Sequence, residues 1–595
     1  MLNTRSLLRC AAALAVFCPV SILHSQLQSP APTPGQQAAV DWVHANSIPL
    51  KTVEARNGFA DMEPLGKVVG DARIVSLGEA THGTREFFQF KHRMVEYLAT
   101  QRGFTIFSIE ANMPEAYRLN KYVLNGEGDP KQLLKGMYFW TWNTEEVLDM
   151  ILWMREFNQS GKGRIEFTGF DMQTPTVSIE TVRDFLLAHD EAFFHGTVEA
   201  LYKEVPQLDQ EPPQNSFAVA TSKLPGDVVA GKHVTIAGFL RSEDIADGYA
   251  SLWMRADGPN RQPLGFKNQE DKTIRGTTPW KRYEISLDVP ADAVTVFFGA
   301  LQSGSGSAWL DAMEITINGK PYQDGAIDLG FESDTPKGFF TGGAGYEVAL
   351  DKSLAQSGAQ SLRLKRVSSP PVAAARVPDA ALQLRCSDVL RHLEQNRTRY
   401  VQSGSSETEV DWAIQNARLV QQFVAMKSGK QTRDESMAEN IDWIAKHNPG
   451  AKIVLWAHNG HVSNTGFSGT LSMGNYLRKK YGKQLVNFGF AFNQGSFRAW
   501  EPGKSLHEFT VPPAPEGTLD HALSEAGIPL FALDLRALPE NSAAAKWFAE
   551  PHKSRSIGAA FSDSLEPNLW SPGPAKADFD VLLFVEKTAA ARGNP

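Results

Sequence analysis

Between Ile74 and Leu98 the apolar residues change their period at a single turn, and that change constrains what the chain can build. Ile74, Val75 and Leu77 form a short apolar run that predicts a buried strand, and Gly78 begins a turn. From Thr84 onward Phe87, Phe88, Phe90, Met94, Val95 and Leu98 fall on one side of a helix advancing about 100° per residue. Arg85, Glu86, Gln89, Arg93 and Glu96 fall on the other side. Glu79 and His82 therefore occupy a strand-to-helix connection. Lys91 projects into the middle of the apolar stripe, and helical side chains lean toward the helix start, so its amine can reach back to Glu79 and His82. A carboxylate, an imidazole and a half-buried amine at the outgoing end of a strand predict a site for acid–base chemistry.

The pattern recurs. Phe104, Ile106, Phe107 and Ile109 predict a second strand ending at Glu110, and Pro114 suits the first turn of the next helix. Two strands flanking a helix make a βαβ unit, so these strands are expected parallel and adjacent, which carries Glu110 toward Glu79 and His82. Asn143 or Thr144 is expected to cap a helix over 145–158, and a third strand through Ile165 and Phe167 ends at Asp171. Far along the chain, Thr432 and Glu435 have capping-box spacing, which puts Arg433 in a first helical turn. Ile453, Val454, Leu455 and Trp456 then read as a strand running into AHNGHV, with His458 and His461. QLVNFGFAF, IPLFALDL and FDVLLFVEK supply further strands. The expected fold is α/β, a mainly parallel sheet with flanking helices, built by two distant halves of the chain.

Between those halves the texture differs. Segments such as VVAGKHVTIAGFLRS, WKRYEISLDVP, AVTVFFGALQSG and SAWLDAMEITING alternate in short strands separated by Gly, Pro, Asp and Asn. This predicts an all-β antiparallel sandwich inserted into the α/β body, with Pro370 and Pro371 marking its exit. Its aromatic residues, Trp253, Trp280 and Trp309 among them, are expected to serve its core or rim.

A chain of 595 residues needs more than one core. At its start Arg5 and Arg9 precede an apolar run from Cys10 to Leu23, the layout of a secretory signal peptide too short for a membrane span. The expected organisation is a signal peptide over 1–25, a Pro-rich linker over 26–36, α/β segments over 37–214 and 376–595, and the sandwich over 215–375. Export, periplasmic or secreted, follows, and the protein is not expected to be an integral membrane protein. Loss of Arg5 and Arg9 with the leader makes the chain more acidic than its formal charge of -8, which argues against nucleic acid as a partner. Only Cys386 would remain, so neither an intramolecular disulfide nor a cysteine zinc site is available.

Glu79, His82, Glu110, Asp171, His458 and His461 all follow apolar strands, and a shared sheet edge would gather them into one polar cleft. There His82 is expected to draw a proton from water, with carboxylates orienting the water or the imidazole. His458 or His461, with Arg433 or Lys91, would stabilise an oxyanion as an acyl carbon becomes tetrahedral. The chain has neither a G-x-S-x-G elbow nor an H-E-x-x-H motif. The reading is a metal-free hydrolase without cofactor, acting on a small-molecule ester. A metal-dependent hydrolase and a carbohydrate-binding envelope protein on a non-catalytic scaffold are the alternatives.

GEATHG at 78–83, Glu110, RDESMAENIDWI at 433–444, WAHNGHV at 456–462 and the closing FDVLLFVEKT together resemble the erythromycin esterase family. The likeness spans most of the chain outside 1–36 and 215–375. It implies an α/β fold with a deep cleft and no serine nucleophile, and ester hydrolysis of the kind that opens macrolide lactones. Carried over to this sequence, it implies that His82 is the water-activating base and Glu79 its assistant. Glu110 matches the acid at the second strand's end, and His458 and His461 the later histidine motif. Position 91 departs from the pattern, because macrolide-active members tend to carry arginine where this chain has Lys91, and an ammonium offers no planar fork. The insertion resembles the galactose-binding-like jelly rolls of carbohydrate-binding modules, which implies a glycan as its partner.

Overall fold

Three of the short apolar runs become strands with every residue buried: Ile74–Leu77, Ile106–Asn112 and Ile453–Trp456. Such uninterrupted burial is what a sheet covered by helices on both faces demands. The computed structural model describes residues 33–208, 217–259, 263–268, 273–343, 345–367, 380–467, 470–501, 505–562 and 569–594. The expected signal peptide, the first residues of the linker, and Pro370 and Pro371 lie outside these residues. The end of the expected linker is helical, because Pro34 takes the first position of the helix Pro34–Asn46 and the Thr33 hydroxyl caps it.

One sheet is assembled from both halves of the chain. Its order is Ile48–Pro49, Leu530–Asp534, Val581–Thr588, Leu485–Trp500, Ile74–Leu77, Ile453–Trp456, Ile106–Asn112 and Glu166–Asp171. The five strands from Leu485–Trp500 to Glu166–Asp171 are parallel, as is the pairing of Leu485–Trp500 with Val581–Thr588. The first two strands of the βαβ unit are therefore not neighbours. Ile453–Trp456 lies between them, paired to Ile74–Leu77 on one side and Ile106–Asn112 on the other. Glu166–Asp171 forms an edge whose outward amides are covered by side chains, Asn120 accepting from Phe167 at 2.9 Å and Asn158 from Ile165 at 2.7 Å.

The helix Arg85–Arg102 departs from the simple amphipathic reading. Its polar side is also buried at Arg93, 1% exposed, and Glu96, 3% exposed. Residues 52–61 lie over that side, and Arg93 donates to both Asp61 oxygens and to the carbonyls of Thr52 and Gly58. A guanidinium this enclosed is tolerated because these acceptors replace its water. The middle of the chain forms a separate ten-stranded, antiparallel assembly from Phe217 to Arg366 with its own core of Leu252, Met254, Phe298, Leu310 and Phe339. Trp309 belongs to that body's interior and donates its indole N–H to Asp351.

Candidate active site

Parallel register carries the chemistry to one edge. Leu77, Trp456 and Ile109 stand abreast, so Gly78, Ala457 and Glu110 form the next row, and the turns beyond it project from the same side of the sheet. The first turn runs unusually close to its neighbours. A Cβ on Gly78 would lie 2.2 Å from the Asn459 Oδ1, and one on Gly83 would lie 2.0 Å from the Arg498 carbonyl oxygen. Glycine at both ends is what lets the loop between them sit against the strand Leu485–Trp500. Within it the Gly83 N–H donates to the Thr81 hydroxyl, and the Ile557 N–H donates to the Ala80 carbonyl at 2.6 Å.

Glu79 is the centre of the first cluster. It is fully buried, and its Oε1 lies 2.6 Å from Nδ1 of His82. Its Oε2 accepts from the Lys91 ammonium at 2.5 Å and from the Trp456 indole N–H at 2.8 Å. Lys91, expected on the substrate side, is itself fully enclosed, with the Trp456 ring 4.3 Å from Nζ. Burial lowers its ammonium to about 8 even though Glu79 pulls it back up, so it remains a cation at neutral pH. Removing either member of so enclosed a pair costs about 3–5 kcal/mol. The His82 side chain keeps 12% of its surface exposed, and Trp142 packs edge-on against its ring. With Nδ1–H donated to Glu79, Nε2 of His82 is left as the proton acceptor.

The second cluster is built around Arg433, at the start of the helix Arg433–His447 that Thr432 caps through the Glu435 N–H. Its Nη2 lies 2.7 Å from Glu110 Oε1 and 2.6 Å from Asp171 Oδ2, and Nε lies 3.2 Å from both Asp171 oxygens. Asp171 is fully buried and also accepts from the Gln173 amide. His461 completes the group, with Nδ1 2.8 Å from Asp434 and Nε2 3.4 Å from Glu110. Burial and the neighbouring Arg433 lower His461, but Glu110 and Asp434 outweigh them and raise the ring to about 10; its Nε2 also lies 3.0 Å from Arg433 Nη1, which can only donate. Burial pushes Glu110 up, yet His461 and Arg433 hold its carboxyl well below the usual range.

His458 joins the clusters. Its backbone N–H donates to Glu110 Oε2 at 2.9 Å, and its ring centroid is 5.1 Å from that of His82. Nδ1 accepts from the Gly460 N–H, so the ring proton sits on Nε2. Burial, His82 and His461 push the ring down to about 3, and it stays neutral. All eight residues singled out in the sequence thus lie in one connected network. Sequence reasoning missed Trp456 as a partner of Glu79, Asp434 as the partner of His461, and Trp142, whose indole donates to the Glu110 carbonyl at 3.1 Å. Asp434 adjoins Arg433 in the quoted motif; the two tryptophans gave no signal beyond their apolar character. Among the described residues no three His, Cys, Asp or Glu side chains are arranged to hold a metal ion, and no helix is long and apolar enough to cross a membrane.

The family profile described as Erythromycin esterase matches residues 99–246 and 355–588, well over half of the chain. Glu110, Asp171, Arg433, His458 and His461 fall within those residues, while Glu79, His82 and Lys91 lie ahead of them. The erythromycin esterase type II of Escherichia coli is 32% identical over 162 residues, 26% of this chain and 38% of that protein. The chain thus spans well under half the length of that relative. A Bacillus cereus protein of known crystal structure shares 20% identity at a TM-score of 0.60, covering 95% of this chain and all of that one. A succinoglycan biosynthesis protein of known structure shares 18% identity at a TM-score of 0.58, with 95% of this chain and 100% of that chain covered. These two likenesses concern the fold.

Proposed function

The chain belongs to the erythromycin esterase family, and from that premise we propose that it hydrolyses a carboxylic ester with water activated by His82. Nε2 of His82 takes a proton as the water oxygen bonds to the acyl carbon. The tetrahedral intermediate then expels the alkoxide, which recovers the proton from the imidazolium, and the acid is left. Glu79 keeps the proton on Nδ1 and stabilises the imidazolium as it forms. Lys91 and Trp456 hold Glu79 from behind, so its aim does not depend on solvent. Arg433, with His461 beside it, supplies positive charge for the oxyanion, and Glu110 and Asp171 fix its position. His458, neutral and donating through Nε2, packs against the base and shapes its pocket. The observation that carries this reading is the 2.6 Å contact between Glu79 Oε1 and His82 Nδ1, with the other carboxylate oxygen already occupied by two donors.

The name of the Escherichia coli relative makes a macrolide lactone the first ester to try. Lys91 in place of arginine favours a different alcohol or acyl portion, because the ammonium is engaged beneath Glu79 and presents no fork to a ligand. The leader-like start of the chain supports action outside the cytoplasm. The test is incubation of the protein with macrolides, simple esters and acylated sugars, read by mass spectrometry for gain of water. His82→Ala should lower turnover of any hydrolysed ester by about 10²–10⁴-fold. Undiminished turnover in that variant would remove His82 from the reaction.

A further inference from the structure

At the far end of the strand Glu166–Asp171 from Asp171 lies a second concavity that the hydrolytic site does not use. It is a cavity of about 520 Å³ lined by Tyr117, Trp412, Trp443, Arg164, Glu166 and Asp411 among others, a size typical of small-molecule pockets. Glu166 begins the strand and Asp171 ends it, so the two places are roughly 17 Å apart at about 3.3 Å per residue. The cavity continues on both sides. Tyr117 and Trp412 also line a neighbouring cavity of about 520 Å³, and Trp443 and Asp411 one of about 640 Å³.

Two half-buried indoles lie at the junctions of this trench, their ring centroids 6.3 Å apart. Each is braced by another ring: Tyr117 stands 4.5 Å from Trp412, and His447 stacks 4.0 Å from Trp443. Braced rings hold their orientation at little entropic cost to a ligand. The cations around them are already paired. Arg397 binds Asp411 through two hydrogen bonds and Glu407 through a third, and Arg164 pairs with Glu166. Two guanidiniums thus face three carboxylates, so no positive surplus attracts an anionic ligand, and planar carboxylate and guanidinium edges remain suited to hydroxyl groups. An aromatic face is electron-rich and meets C–H groups that carry slight positive charge. A pyranose offers both surfaces at once, C–H on its faces and hydroxyls on its rim.

We propose that this trench binds a neutral saccharide chain, with sugar rings against Trp412 and Trp443. The site lies in the α/β body and not in the inserted sandwich, where the sequence placed a glycan. It adds to the ester-hydrolase reading and does not depend on it.

The test is calorimetric titration of the full chain with cellohexaose, laminarihexaose and maltohexaose, with hexagalacturonate as the charged comparison. At least one neutral hexasaccharide should bind saturably, and Trp412→Ala or Trp443→Ala should weaken it tenfold or more. Trp412→Phe, which keeps a ring, should retain most of the affinity. His82→Ala and the sandwich variant Trp280→Ala should bind as the parent does. Circular dichroism of each variant checks that the fold is intact; loss of fold in Trp412→Ala transfers the decision to Trp443→Ala and Trp412→Phe. Failure of every neutral probe, preference for the charged one, or affinity that depends on Trp280 or His82 and not on the trench would overturn the proposal.

Discussion

Replacing Glu79 by glutamine changes no volume and only one charge, yet the hydrogen bonds around it make the outcome specific. The carboxylate accepts from His82 on one oxygen and from Lys91 and Trp456 on the other. An amide has a single accepting end. Turning its NH2 toward Lys91 and Trp456 opposes two donors, whereas turning it toward His82 opposes one, so the amide oxygen should face the lysine and the indole. Its NH2 then donates to Nδ1 of His82, which drives the ring proton onto Nε2, the nitrogen that must accept from water. This is the fault produced when the carboxylate of a serine-protease triad becomes an amide, and there the loss is about 10⁴-fold, roughly 5 kcal/mol of barrier. Lys91, already lowered to about 8 with its partner present, can release its proton when the carboxylate is gone. That relief should hold the loss of stability below the ~3–5 kcal/mol of a broken buried pair. The assay is kcat/KM on an ester turned over by the wild type, alongside urea unfolding of both proteins. Glu79→Gln should lose about three to four decades of kcat/KM while remaining folded. A variant that keeps more than a tenth of wild-type activity would refute the assignment of Glu79 as the residue that sets the tautomer of the base.

Two further outcomes follow from the same region. The His461 ring is raised from 6.5 to about 10 by Glu110 and Asp434 after burial has lowered it, so the folded protein binds more protons than the unfolded chain between these values. The stabilisation is complete below pH 6.5 and is lost as pH rises through 10. Urea unfolding of His461→Asn should therefore show a shallower decline than wild type across that window; identical slopes would contradict it, and taking the difference cancels the opposite trend from Lys91. Gly83→Ala would place a methyl group 2.0 Å from the Arg498 carbonyl oxygen, which should cost about 1–3 kcal/mol as overpacking and displace the loop that carries His82. An unfolding midpoint and an ester activity both equal to wild type would show that the loop has room to spare.

The strand ends were legible because each short apolar run stops at a polar residue, and Glu79, Glu110, Asp171 and His458 sit where those runs stop. Lys91 was legible because a cation within an apolar stripe needs a nearby anion. The order of strands was not. Local periodicity identifies Ile74–Leu77 and Ile106–Asn112 as strands, but nothing in it reveals that Ile453–Trp456 lies between them, since parallel pairing joins elements of any separation in sequence. Arg93 and Glu96 read as a solvent face for a related reason: the helix pattern contains no information about residues 52–61, which cover it. Trp456 read as a core residue because its indole N–H becomes visible only when Glu79 is found beneath it.

The placement of Ile453–Trp456 also bears on how the molecule is made. The strands that carry Glu79 and Glu110 have no common neighbour until residue 456 has been synthesised, and the whole of the inserted body is translated before then. The complete parallel sheet therefore needs the late strand, while residues 217–366, translated between the early and late strands, carry a sheet and core of their own. The cluster of Glu79, His82, Glu110 and His458 is complete only with that late strand lying between the two early ones.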